Sequence, residues 1–91
     1  MKRANDQTPW GRAQQITTWA DGIQFISTAS HGGFYLSPTR YWELVDRKGT
    51  PKLFVGNSEQ LGGYWFEEDC DARQVAEAFP EIMNGKPLFS G

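Results

Sequence analysis

The sequence predicts a small α+β domain, an antiparallel sheet of four or five strands with a C-terminal helix packed on one face. Three observations carry that fold class. Asp21-Gly22 lies between two strand-like runs, the strongest short-range hairpin signal. Ala72, Val75, Ala76 and Phe79 recur at i, i+3, i+4 and i+7, the stripe of a helix lying on a sheet. The chain has 91 residues, 38% hydrophobic and 14% aromatic, enough to fold around one modest core without disulfides.

Residues 1–8 are polar and read as a flexible leader ahead of a single domain over residues 9–91. From Arg12 to Trp19, β-branched and aromatic residues make a first strand. Asp21-Gly22 reverses the chain, with both residues expected at positive φ. In the second strand, Ile23 and Phe25 should face the core, and Gln24 and Ile26 the opposite side. Ser30-His31-Gly32-Gly33 interrupts the pattern, and Phe34-Tyr35-Leu36 completes a three-stranded meander.

Ser37-Pro38 supplies an N-cap and a first helical residue for a helix that closes at Arg47-Lys48-Gly49. Beyond it, Leu53-Phe54-Val55 is a short strand candidate, Gly56-Asn57-Ser58 a turn and Gly62-Gly63 a flexible joint. Tyr64-Trp65-Phe66 reads as another strand. Asp69 is placed to cap the last main helix, with Glu67, Glu68 and Asp71 adding negative charge where the macrodipole favours it. That helix should point Asp71, Arg73, Gln74 and Glu77 outward and end at Pro80. Glu81-Ile82-Met83 adds one turn, and Pro87-Leu88-Phe89 either docks or frays.

Nine Lys plus Arg against eleven Asp plus Glu give a net charge of −2, the wrong sign for direct nucleic-acid binding. The single cysteine, Cys70, cannot form an intramolecular bridge, which suits a reducing cytoplasm. No apolar run has the length of a signal peptide or a membrane span, so no membrane partner is expected. The chain lacks a P-loop, a G-x-G-x-x-G, an H-E-x-x-H and a G-x-S-x-G, and no cofactor is predicted.

Reactive groups concentrate in Ser27–Gly33 and Glu67–Asp71. Cys70 in a first helical turn, with His31 as base and Glu68 or Asp69 assisting, would make a small cysteine/histidine enzyme. The neighbouring carboxylates oppose a thiolate, and the plainer reading makes Cys70 a small buried apolar residue. His31 is equally suited to a turn. A metal site would need His31 and Cys70 to converge with Glu67, Glu68 or Asp69, and one His and one Cys exclude the closed structural zinc sets, so no metal is predicted. Glu67, Glu68, Asp69 and Asp71 are either helix capping or an electronegative knob for a basic groove on a partner. Trp10, Trp19, Tyr35, Tyr41, Trp42, Tyr64 and Trp65 are more rings than one helix on one sheet can hide, so some should be exposed as interface anchors.

Three stretches together resemble an uncharacterised domain family of phages, plasmids and other bacterial mobile elements. They are Thr8-Pro9-Trp10-Gly11-Arg12-Ala13, the run from Ser27 through His31-Gly32-Gly33-Phe34 to Ser37, and Gly63-Tyr64-Trp65-Phe66-Glu67-Glu68-Asp69-Cys70 leading into Val75-Ala76 and Ala78-Phe79-Pro80. The resemblance runs from Thr8 to about Glu81, with residues 40–62 departing from it. It implies a small protein acting in the bacterial host cell. By analogy with other such proteins, it implies inhibition of a defence system by binding a host protein or ribonucleoprotein effector complex, of the anti-CRISPR or anti-restriction type. The contact residues expected for that role are Glu67, Glu68, Asp69, Asp71, Tyr64, Trp65 and His31. The alternatives are the Cys70 and His31 enzyme, or a structural or regulatory module of the mobile element for which exposed tryptophans would also serve a homodimer.

Overall fold

The computed structural model describes residues 1–53 and 59–90. The chain runs through β1 (Gln7–Thr8), β2 (Gly11–Arg12), β3 (Gln15–Ala20), β4 (Ile23–Ser27), β5 (Gly32–Leu36), α1 (Pro38–Lys48), β6 (Glu59–Gln60), β7 (Gly63–Glu67), α2 (Ala72–Ala78), α3 (Pro80–Met83) and β8 (Phe89–Ser90). β1 and β2 pair as a small hairpin, and the other strands form one antiparallel sheet in the order β6-β7-β5-β4-β3-β8. The fold class is α+β, and β3, β4 and β5 make the expected meander. The expected strand through Phe54 and Val55 and the turn at Gly56-Asn57-Ser58 lie outside the described residues.

The sheet is covered on both faces, which changes the core. One face holds Ile23, Phe34, Leu36, Tyr64 and Phe66 under α1 and α2, with Tyr41, Leu44, Val75, Ala78 and Phe79 packed down from the helices. The opposite face gathers Ala13, Ile16, Ile26, Tyr35 and Trp65 with Trp10. Gln24 and Ile26 are therefore buried, where the sequence placed them on an open side. Strict alternation in β4, β5 and β7 sends neighbouring side chains into opposite cores. Full burial of rings such as Phe66 and Trp65 contributes about 1.5–3 kcal/mol apiece.

The second core depends on the N-terminal segment. Lys2 N–H donates to Gln24 Oε1 at 2.8 Å, the Gln24 amide returns a bond to the Lys2 carbonyl at 3.1 Å, and Thr8 is buried beside the β1–β2 hairpin. Residues 1–8, expected as a leader, thus contact the sheet directly.

Ser37 caps α1, its hydroxyl accepting from Arg40 N–H at 3.3 Å with Pro38 next in the chain, and Gly49 closes the helix at φ 89°. Between β3 and β4 only Gly22 takes positive φ, 81°, and a register shift between Thr18 and Ala20 absorbs the difference from a turn with two positive φ values. α2 starts later than Asp69 predicts. Cys70 N–H and Asp71 N–H both donate to the Glu67 carbonyl, so residues 67–71 form the turn and Asp71, not Asp69, is the capping residue, without a side-chain cap bond. Of the expected stripe, Val75 and Phe79 are buried and Ala72 packs partly buried against the core, while Ala78 takes the buried place expected for Ala76, which is exposed. The cap residue Asp71, expected to point outward, is buried. Beyond it, α3 supplies the expected turn, and the Leu88 N–H donates to the Thr18 carbonyl as the tail docks on β3.

Candidate functional site

The three sequence stretches that stand out meet at one end of the sheet. Thr8 Oγ1 donates to the Gly11 carbonyl at 2.7 Å and accepts from Trp10 N–H at 3.1 Å, which fixes Trp10 at the head of the β1–β2 turn. The Trp10 carbonyl accepts from Ser30 Oγ and lies equally close to Thr28 Oγ1, both at 3.2 Å. Thr28 Oγ1 also accepts from His31 N–H at 3.1 Å, and Thr28 N–H donates to the His31 carbonyl, closing a tight loop with His31 exposed at its end. Gly33 then passes beneath the Trp10 ring. A Cβ at that position would stand 2.6 Å from Trp10 Cη2 and closer still to the Phe66 carbonyl. Trp10 in turn meets Trp65 edge to face, centroids 5.6 Å apart.

β7 completes the site. Gly33 is opposite Glu67 in the ladder, and Glu68 N–H donates to the Gly32 carbonyl at 2.9 Å. The Glu67 side chain, 12% exposed, has Oε1 4.0 Å from His31 Nδ1 and Oε2 accepting from Asp69 N–H at 3.1 Å. One carboxylate thus sits between the loop bearing His31 and the turn bearing Asp69 and Cys70.

Cys70 is exposed and lies ahead of α2 instead of within its first turn or the core. Desolvation raises its thiol above the ordinary range, and a hydrogen bond to Glu67 and the charges of Glu67, Asp71 and Asp69 add to the rise. The thiol's partner is Glu67 and not His31. A cysteine nucleophile needs the reverse order, with the base on the thiol and the carboxylate behind the base.

The predicted contact residues divide by exposure. His31, Glu68 and Asp69 are exposed, whereas Glu67 and Asp71 are buried. Tyr64 stacks on Tyr41 under α1, centroids 3.7 Å apart, and Trp65 lies 1% exposed in the opposite core with its indole N–H donating to the Gln60 carbonyl. Neither ring is a surface anchor. Among the residues whose burial is described, the exposed ring is Trp42, 57% accessible on α1. Trp10 was missed as a site organiser; the run of hydroxyl and glycine residues in both flanking stretches was its sequence signal.

The charges are unevenly placed. Among the described residues no Lys or Arg pairs with Glu67, Glu68 or Asp69. Arg40 and Arg47 bind Glu43, Arg47 binds Glu81 and Lys48 binds Glu77, all on the helical side. Next to the acidic turn, Cys70 and Asp71 line an open groove of about 450 Å³ with Lys52 and Leu53.

Fold and site together define a small two-core α+β protein with one carboxylate-rich sheet end, and no described helix is long and apolar enough to cross a membrane. A family model, DUF7007, a domain of unknown function, matches residues 3–88, and the chain belongs to that family. No curated protein and no solved structure matches the chain significantly.

Proposed function

We propose that the protein is a non-enzymatic binding protein that sets its acidic sheet end into a basic surface of a host complex. The observation that carries this reading is the gathering of Glu67, Glu68 and Asp69 at one end without a Lys or Arg partner among the described residues, while the arginines and lysine of α1 are engaged elsewhere. Such a one-signed surface steers association with a basic groove and competes with phosphate for it. The resemblance to a family of mobile elements makes a defence effector of the bacterial cytoplasm, of the CRISPR or restriction type, the partner class of choice. The enzymatic alternative is weakened by the Cys70 thiol, which is raised in pKa and bonded to Glu67 rather than to His31.

The test is capture of host proteins by tagged protein, followed by rebinding of the purified partner. Glu68→Lys/Asp69→Lys reverses exposed charges without touching buried Glu67 or Asp71. A stoichiometric partner lost in that variant and retained by Cys70→Ser supports the proposal. Equal capture by the charge-reversed variant removes the acidic end as the docking face.

A further inference from the structure

We propose that His31, Glu67 and Asp69 form a binding site for a first-row divalent cation, zinc in preference to manganese. One ligand atom from each, an imidazole nitrogen and two carboxylate oxygens, lies within 4.8 Å of the others. Nδ1 of His31 and Oε1 of Glu67 are 4.0 Å apart, too far for a hydrogen bond between them. Ligand atoms on a tetrahedral zinc with 2.0–2.1 Å bonds are about 3.3 Å apart, so the site closes on an ion by movements of about 1.5 Å or less.

The fold determines which ligands make those movements. Glu67 is fixed in β7, opposite Gly33 in the ladder and bonded to Asp69 N–H through its other oxygen. His31 and Asp69 are exposed and can swing onto the ion from either side. The backbone beneath His31 is held by Thr28 and, through Ser30, by the Trp10 carbonyl. The ligands thus come from separate segments joined by the sheet, and the uncompensated negative charge at this end supplies the attraction.

The donor set selects the ion. Imidazole suits zinc and its first-row neighbours and is a poor ligand for magnesium or calcium, and mixed nitrogen and oxygen sites bind zinc more tightly than manganese, the maximum of the series lying at copper. Three protein ligands leave a coordination position for water or a partner's side chain, as in open zinc sites. The inference stands apart from the docking proposal, because cation binding is measured on the isolated protein.

The experiment is isothermal titration of the full chain with zinc, manganese and magnesium chlorides at neutral pH, with NMR of the single imidazole as a second readout. The expected result is one zinc ion per chain, at least tenfold weaker manganese binding, no measurable magnesium binding, and shifted His31 ring signals at saturation. His31→Gln and Asp69→Asn, both at exposed positions, should each weaken zinc binding tenfold or more with unchanged circular dichroism, while Cys70→Ser should retain it. Magnesium binding as tight as zinc, zinc binding unaffected by His31→Gln, or loss of zinc binding only in Cys70→Ser would overturn the assignment.

Discussion

Gly33 shows how much depends on a single missing side chain. Its backbone is ordinary extended chain, so conformational freedom is not the reason for glycine there. The reason is space, since Trp10 closes over it on one side and the Phe66 carbonyl borders the other. Gly33→Ala must push the Trp10 ring off or spread β5 from β7, and overpacking of this kind costs about 1–3 kcal/mol. A urea melt should show a lower midpoint, with the unfolding free energy reduced by that amount and the Trp10 contribution to fluorescence altered. An unchanged midpoint would mean that the ring moves aside freely. Glu67 is legible at the same scale only in part: its negative charge is evident in the sequence, but its place between His31, Asp69 and Cys70 follows from the β5–β7 register.

At the scale of elements, local chemistry was readable wherever a residue type has one use. Ser37-Pro38 began α1 and Gly49 ended it as expected, because an N-cap hydroxyl, a proline ring and a glycine at positive φ each fit few places. Ser37→Ala should therefore cost about 1 kcal/mol, and Ser37→Asp should restore most of it. A melt in which Ser37→Ala matches the wild type would show that Pro38 alone sets the helix start. The acidic turn was less readable. Asp69 and Asp71 have equal capping propensity, and what decides between them is the Glu67 carbonyl taking two N–H groups and delaying the helix. Ala78 is buried in place of Ala76, a choice made by how α2 packs on the sheet and not by spacing alone. The second core was hidden for a different reason. A polar N-terminus gives no periodic signal, and its role over Tyr35, Ile26 and Trp65 comes from Trp10 and Ala13 reaching a face that hydrophobic alternation in one strand cannot show to be covered.

The whole molecule separates its charges, and this predicts how it responds to acid. On the helical side Arg47 joins α1 to the C-terminal helices, donating to the Ala78 carbonyl and to Glu81 while lying over the Phe79 ring at 5.0 Å. The hydrogen bond from Arg47 holds the Glu81 carboxyl below the usual glutamate value, and the hydrogen bond from Lys48 does the same for Glu77. A carboxyl whose pKa is lower in the folded chain favours folding above its unfolded value, about 4.3, and that contribution is lost as pH falls through the folded value. Both groups are exposed, so the effect is modest and should shrink in high salt. Melting temperature should fall between pH 5 and pH 3, and Glu77→Gln/Glu81→Gln, which carries no titrating group at either position, should lose less over that interval than the wild type. An identical acid slope in the two proteins would place the acid-sensitive groups elsewhere. At the sheet end Glu68 and Asp69 are exposed like charges with no Lys or Arg pair among the described residues, so Glu68→Gln/Asp69→Asn should melt higher at pH 7 in low salt, with the gain disappearing at 0.5 M sodium chloride.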